Sequence, residues 1–194
     1  YQSQTRERPY LMAAALWNVV SNESIAYVNP PTSFAYSGQR IRLPNDIKNH
    51  KTGACLDLSL LFSACLEHIG LNSIIAITDT HACCGLWLID ECFPLLTNDD
   101  AMDIRKRVAS KDIVLFETTL ATSYSPITFG QAIEYANQII SEDSEDAFVY
   151  AIDLTQARKR QIKPIPTIGE NILSVEFNES NTKVQILPVP PSLP

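Results

Sequence analysis

Three short segments of this chain carry side chains that together could perform nucleophilic catalysis. Cys55 follows Gly53 and Ala54 and stands at the beginning of a strongly apolar run. His81 precedes a second apolar run, and Glu117 follows a third. A thiol, an imidazole and a carboxylate supply a nucleophile, a base and a group that orients the base. These residues predict a chain that breaks or exchanges amide bonds through a thioester on Cys55.

The predicted position of Cys55 favours its ionised form. A free thiol titrates at about pH 8.5, so most of it is protonated at neutral pH. The spacing of apolar residues predicts a helix from Cys55 to Ile69 that stops at Gly70. The unpaired N–H groups and the dipole at the beginning of a helix stabilise a thiolate. The amide of Cys55 is then free to bind a developing oxyanion.

His81 is the best candidate for the base among the three histidines of the chain. His50 lies in a polar segment. His68 lies late in the predicted Cys55 helix, about three and a half turns beyond the cysteine, which is too far along the axis for contact. His81 instead lies between a turn and an apolar strand, where an imidazole can face a neighbouring element.

Glu117 and Asp90 compete for the role of the acid that orients the imidazole. Glu117 ends a predicted strand, whereas Asp90 lies at the far end of the strand that begins beside His81. Nine positions separate Asp90 from His81 (90 − 81 = 9), which is about 30 Å in a straight strand. Distance therefore favours Glu117, and Asp90 stays the alternative.

Three further residues are candidates for supporting roles. Asp57 should bind backbone amides or a nearby arginine and point away from the sulfur, because a carboxylate beside a thiolate opposes its ionisation. Gln39 either donates a hydrogen bond to the oxyanion or is an ordinary polar loop residue. Trp87 either shapes the acyl pocket or, as its apolar surroundings favour, packs in the core.

The periodicity of apolar residues along the chain predicts an α+β fold. Helices are expected over residues 9–22, 99–109 and 128–141, strands over 72–78, 82–89, 112–117 and 147–154, and a hairpin over 172–177 and 182–187. The near-continuous apolarity of the first two strands indicates burial on both faces. Helices cluster early and strands follow, so we expect the nucleophile helix to pack on a mostly antiparallel sheet.

The composition is typical of a globular chain of ordinary domain size. The 194 residues are 45% hydrophobic and 19% charged, which is sufficient for a buried core. We expect one domain over residues 1–187 and a Pro-rich tail or linker over residues 188–194. The five cysteines, an odd number, do not indicate the disulfide framework of a secreted protein. The sequence also has no run of about 18 apolar residues, the length that would indicate a membrane-spanning helix. We therefore expect a cytoplasmic protein that does not enter membranes.

The net charge of the chain indicates which classes of partner it can bind. A net charge of −7 disfavours direct binding to nucleic acid, and the basic clusters at 105–107 and 158–160 are short enough to be solvated. No cofactor is expected. A metal site would have to use His81, Cys83, Cys84 and Cys92, but these residues lack the paired Cys-x2-Cys spacing of structural zinc sites. The expected partner is a peptide or protein substrate.

The same residues resemble the transglutaminase-like domain of the papain superfamily of cysteine proteases. Three blocks carry the resemblance: Gly53-Ala54-Cys55-Leu56-Asp57, His81-Ala82 with the strand at 85–88, and Glu117-Thr118-Thr119. The resemblance implies a papain/transglutaminase-like core in which Cys55 is the nucleophile, His81 the general base and acid, and Glu117 the orienting acid. The family more commonly has Asp at the last position, and Glu lengthens that side chain by one methylene.

A narrower resemblance covers most of the chain. Residues 38–44, 116–119, 151–154, 157–158 and 162–166 resemble a bacterial subgroup of these domains. The subgroup lies inside large proteins with superfamily 1 helicase and nuclease-like segments, which are associated with phage defence. The resemblance therefore implies that helicase or nuclease segments of a parent protein are further partners.

The expected reaction is hydrolysis of peptide or isopeptide bonds, with water as the acceptor of the thioester. An amine acceptor would make the same site a transglutaminase or acyltransferase, and exclusion of water would favour that outcome. The other alternative is a catalytically silent binding module of a larger helicase or nuclease protein.

Overall fold

The computed structural model describes residues 5–29 and 41–165. The chain divides after Pro164 into two units, and the following helices and strands belong to the first. The helices are α1 (Glu7–Ser21), α2 (Pro44–His50), α3 (Cys55–His68), α4 (Ala101–Ala109), α5 (Phe129–Ile139) and α6 (Leu154–Lys159). The strands are β1 (Ala26–Tyr27), β2 (Thr52–Gly53), β3 (Ser73–Thr78), β4 (Ala82–Trp87), β5 (Thr97–Asn98), β6 (Ile113–Phe116) and β7 (Phe148–Asp153). Two short 3-10 helices span Thr118–Thr122 and Glu142–Ala147.

Five strands form one antiparallel sheet in the order β5-β7-β3-β4-β6. Strands β1 and β2 form a separate parallel pair. All residues of β4 and β6 are buried, as is nearly all of β3, which confirms the predicted burial on both faces. The predicted α+β class with a mostly antiparallel sheet is confirmed. The expectation that helices cluster early is wrong, because α4, α5 and α6 alternate with the strands.

Helix α3 packs on β3 and β4, and an aromatic cluster fixes its position. Trp17 of α1 stacks on Phe62 of α3 with 5.7 Å between ring centroids. Phe116 of β6 meets Phe62 edge-on at 5.3 Å. All three side chains are buried, and burial of each stabilises the fold by about 1.5–3 kcal/mol. The cluster holds the middle of α3, at Phe62, at a defined place beside the sheet.

Strands β4 and β6 approach closely because β4 has a glycine in its middle. Gly85 lies opposite Leu115. A Cβ atom at Gly85 would lie 2.6 Å from the carbonyl oxygen of Val114, so any side chain would push the strands apart. The register ends with Cys84 opposite Phe116. The beginning of β4 and the end of β6 therefore lie next to each other, at the same end of the sheet.

Most predicted helices and strands are confirmed, with ends that differ by a few residues. Gly70 follows α3 with φ of +82°, the left-handed conformation that favours glycine. The sequence pattern does not predict helix α6, because this segment is polar and lacks apolar periodicity. The helix forms where the carboxylate of Asp153 accepts a hydrogen bond from the amide of Gln156 at 3.0 Å.

Several predictions fall outside the described residues. The hairpin over 172–187 and the tail over 188–194 lie there, so the predicted domain boundaries stay predictions. Residues 30–40, which include Gln39, lie there as well. Within the described ranges, no helix is both long enough and apolar enough to cross a bilayer.

Candidate active site

Cys55 is the first residue of α3 and follows the short strand β2. Ala54 precedes the helix in an extended conformation, with φ −91° and ψ 174°. The amide of Cys55 therefore belongs to the first helical turn, where N–H groups lack an intrahelical acceptor. The thiol is partly buried. A sulfur at this position lies beside donors that favour a negative charge.

His81 is held by the tight turn between β3 and β4. Its carbonyl oxygen accepts a hydrogen bond from the Thr78 amide at 2.8 Å, and its amide donates to the Thr78 hydroxyl at 2.9 Å. These two bonds fix the backbone of His81 just before β4. The side chain is 27% exposed, so the imidazole reaches both the interior and the solvent.

Glu117 directly follows β6, at the same end of the sheet as His81. Its Oε2 lies 2.6 Å from Nε2 of His81. Its Oε1 accepts hydrogen bonds from the amide of Thr119 at 2.9 Å and from the hydroxyl of Thr119 at 2.6 Å. The carboxylate is nearly fully buried. With Nε2 bound to Glu117, Nδ1 is the ring nitrogen that remains for the Cys55 sulfur.

The three side chains alter one another's ionisation. The hydrogen bond with His81 lowers the pKa of the Cys55 thiol, although burial of the sulfur opposes ionisation. Hydrogen bonds with Cys55 and then Glu117 raise the pKa of His81 to about 10. Burial opposes ionisation of Glu117, but hydrogen bonds from His81 and Thr119 outweigh it and lower the pKa. These shifts favour a thiolate–imidazolium pair beside a carboxylate at neutral pH.

Asp57 stabilises the beginning of α3 and takes no part in this group of ionised side chains. Its Oδ2 accepts a hydrogen bond from the Ala54 amide at 2.9 Å. The amide and the guanidinium of Arg42 donate to the same carboxylate at 2.7 and 2.9 Å. The carboxylate is 1% exposed. These contacts match the expectation that Asp57 binds backbone amides and an arginine.

Replacement of Asp57 by asparagine should destabilise the protein strongly. In Asp57→Asn, the amide group cannot accept all the hydrogen bonds of the carboxylate, and buried donors lose their partners. The ion pair with the Arg42 guanidinium contributes little to the free energy of unfolding, because solvent screens that partly exposed group. We expect the free energy of unfolding to fall by about 3 kcal/mol, measured by urea denaturation.

Asp46 offers a matched control for this prediction. It occupies the same position in the first turn of α2, and its Oδ2 accepts from the Leu43 amide at 3.2 Å. Asp46 is exposed, so water can replace its interactions. Asp46→Asn should lower the free energy of unfolding by less than about 1 kcal/mol. Equal losses in the two variants would contradict the structural role given to Asp57.

The structure does not bring Trp87 to the candidate site. Trp87 ends β4, five residues after Ala82, which is about 17 Å along the strand. Its indole nitrogen donates to Asp153 at 2.9 Å, its ring packs against Phe93, and Arg107 lies over it. The favoured prediction that Trp87 packs in the core is confirmed, and the alternative role in shaping the acyl pocket is wrong, because the side chain is fully buried at the other end of the strand.

The other predicted site residues lie apart from the cluster or outside the described ranges. Asp90 is exposed beyond β4, and Glu117 occupies the position beside the imidazole. His50 and His68 are exposed at the ends of α2 and α3. Gln39 lies outside the described residues, so its role as an oxyanion donor stays a prediction.

Tyr27 lies beside the candidate site, although no sequence pattern indicates it. Tyr27 of β1 is opposite Gly53 of β2, and β1 contacts the 3-10 helix that follows Glu117. Burial raises the pKa of the phenol, and the charges of Cys55 and Glu117 raise it further. The residue is 43% exposed, so it borders the solvent side of the site. The parallel pairing of two-residue strands brings it there, and such short strands leave no periodic signal.

Two of the cysteines considered and set aside as metal ligands, Cys83 and Cys84, face different parts of the core. Cys83 belongs to the apolar cluster around Trp87, whereas Cys84 belongs to the cluster around Phe62. Burial raises the pKa of both thiols, so neither is suited to act as a thiolate. Among the described residues, no group of three or more His, Cys, Asp or Glu side chains is arranged to hold a metal ion.

Comparison of the chain with profiles of protein families, with curated proteins and with solved structures gives no significant match. The functional assignment therefore depends on the geometry of Cys55, His81 and Glu117. That geometry combines a helix terminus, a hydrogen-bonded imidazole and a buried carboxylate, and it is suited to nucleophilic attack by sulfur.

Proposed function

We propose that the protein is a thiol-dependent amide-bond hydrolase that acts on peptide or isopeptide bonds. The observation that carries this proposal is the Cys55 thiol at the beginning of α3, placed where the His81 imidazole lowers its pKa, with Nε2 of that imidazole 2.6 Å from Oε2 of Glu117. In such a series the acid orients the imidazole, and the imidazole keeps the thiol ionised. The thiolate is then a ready nucleophile at neutral pH.

The proposed reaction proceeds in two halves. The Cys55 thiolate attacks the carbonyl carbon, and the oxyanion that forms accepts a hydrogen bond from the Cys55 amide. The carbon–nitrogen bond breaks as the His81 imidazolium donates its proton to the leaving amine. The neutral imidazole next takes a proton from water, whose oxygen attacks the thioester carbon. The carbon–sulfur bond breaks, an acid is released, and the thiolate–imidazolium pair is restored.

We further propose that the fold is a papain/transglutaminase-like core. In such a core, the nucleophile stands at the beginning of a helix that packs on an antiparallel sheet. The packing of α3 on β3 and β4 supports this assignment. Support also comes from the placement of His81 and Glu117 beside the adjacent strands β4 and β6.

Water is the proposed acceptor of the thioester. The partial exposure of His81 and Tyr27 supports access of water to the imidazole that must activate it. A transglutaminase would need a site that keeps water away from the thioester. The bordering residues are therefore better suited to hydrolysis than to amine transfer.

The proposed substrate is a peptide or protein. Helicase or nuclease segments of a parent protein are proposed as further partners. The basic clusters support the expectation that nucleic acid is not bound directly. Arg158 donates two hydrogen bonds to Glu67, and Arg105 pairs with Glu145. These arginines are neutralised by carboxylates of the chain and offer little free charge to phosphates.

The proposed function can be tested by following an acyl group from substrate to product. The protein is incubated with a mixture of peptides and isopeptide-linked peptides in heavy-oxygen water, with and without methylamine. We expect new peptide acids that contain one heavy oxygen and a thioester adduct on Cys55 by mass spectrometry. Methylamide products in place of acids would assign the protein to the acyltransferases. If Cys55 is not acylated even by the activated ester p-nitrophenyl acetate, the proposal is wrong.

A further inference from the structure

Cys55, His81 and Glu117 form the proposed catalytic triad. One buried hydroxyl in α3 contacts the residues that directly follow His81 and Glu117. Ser59 lies four residues after Cys55, so the two side chains share one face of the helix. The Ser59 Oγ donates to the carbonyl oxygen of Ala82, the residue after the triad histidine, at 3.2 Å. It also lies 3.1 Å from Oγ1 of Thr118, the residue after the triad carboxylate. Ser59 and Thr118 are both fully buried.

The direction of these hydrogen bonds follows from the chemistry of the groups. A carbonyl oxygen can only accept, so the single proton of the Ser59 hydroxyl is committed to Ala82. The Thr118 hydroxyl must then be the donor to Ser59. Because the pair is fully buried, loss of the Ser59 hydroxyl would leave two buried polar groups without partners. The hydroxyl therefore connects α3, β4 and the segment after β6 in one defined arrangement.

We propose that Ser59 is a positioning residue that sets the distances among the sulfur, the imidazole and the carboxylate. The inference rests on the proposed function of Cys55. Each partner of Ser59 is one peptide unit from a triad residue, so movement of that partner moves the triad side chain with it. Displacements of about 1 Å at a reacting group can reduce a rate by about 100-fold.

Ser63 gives a matched control in the same helix. It lies one turn further along α3, is buried, and shares a hydrogen bond of 2.8 Å with the hydroxyl of Ser73. Ser73 begins β3, at the end of that strand away from the turn that holds His81. Ser63→Ala removes a buried hydroxyl of the same kind, and its partner lies on a strand that carries no triad residue.

The test compares Ser59→Ala with Ser63→Ala in two assays. The first measures thioester formation from p-nitrophenyl acetate, and the second measures the pH dependence of Cys55 alkylation by iodoacetamide. We expect both variants to melt at lower temperature than the wild type. Ser59→Ala alone should lose about 10- to 100-fold in kcat with little change in KM. The pH at half-maximal alkylation should move toward that of an ordinary thiol only in this variant.

The outcomes separate this inference from the proposed function. If folded Ser59→Ala and Ser63→Ala have equal kcat and equal alkylation profiles, Ser59 has no positioning role and the proposed function stands. If wild-type Cys55 forms no thioester, the proposed function fails and the role of Ser59 fails with it. Should Ser59→Ala not fold, Thr118→Val removes the other hydroxyl with little change of shape. A wild-type kcat in Thr118→Val would then overturn the positioning role.

Discussion

Cys55→Ala is expected to abolish amide hydrolysis while the protein stays folded. Without the sulfur no thioester can form, and the turnover number should fall by at least about 10⁴-fold. Alanine is the best helix former, and the partly exposed position leaves little cavity. The His81 imidazole also keeps its bond to Glu117. The free energy of unfolding should therefore change by no more than about 1 kcal/mol.

Cys65 supplies the control for this variant. It is a partly buried cysteine of the same helix, and burial raises the pKa of its thiol. Cys65→Ala should keep wild-type turnover. The experiment measures peptide hydrolysis by mass spectrometry and thermal unfolding by circular dichroism for both variants. Turnover in Cys55→Ala above a tenth of the wild-type value would refute the assignment of Cys55 as the nucleophile.

His81→Asn is expected to remove both the ionised state of the thiol and the proton donor for the leaving amine. The hydrogen bond with His81 is the main cause of the lowered Cys55 pKa, and burial would raise that pKa once the imidazole is absent. A thiol with a pKa of about 8.5 is only about 3% ionised at pH 7. Alkylation of Cys55 at pH 7 should therefore fall by about 30-fold, and turnover by about 10³- to 10⁴-fold.

The pH dependence of the His81→Asn variant separates the two functions of the imidazole. Raising the pH ionises the thiol without the imidazole, so alkylation should recover toward the wild-type rate in alkaline buffer. Amide hydrolysis should not recover, because no group replaces the proton donor. His68→Asn changes an exposed histidine at the other end of α3 and should leave both rates unchanged. Recovery of hydrolysis at high pH would show that His81 acts only on the ionisation of sulfur.

The order of residue types predicts much of the site because each residue stands at the end of an element. Cys55 precedes a long apolar helix, and Gly70 marks where that helix stops. Distance alone favours Glu117 over Asp90, and the structure places the Glu117 carboxylate beside the imidazole. In an antiparallel sheet, the beginning of one strand lies beside the end of its neighbour, so residues at those two positions come together.

Other contacts could not be predicted, because they join residues far apart in sequence without a periodic pattern. Tyr27 reaches the site through a parallel pair of two-residue strands. An arginine is expected as a partner of Asp57, but nothing in the sequence identifies it as Arg42, which lies fifteen positions earlier in the chain. Trp87 illustrates the reverse case, since its apolar surroundings favour the core over a role at the site. Its side chain is buried against Phe93, with its indole bonded to Asp153.

The activation of Cys55 by His81 is tested most directly by the rate of Cys55 alkylation as a function of pH. Each thiol is followed separately by mass spectrometry after brief exposure to iodoacetamide, with Cys65 as the internal reference. The lowered pKa of Cys55 predicts a rate that stays on its plateau well below pH 8.5, where an ordinary thiol loses about tenfold per pH unit. A Cys55 rate that falls in parallel with that of Cys65 would contradict a thiolate paired with His81.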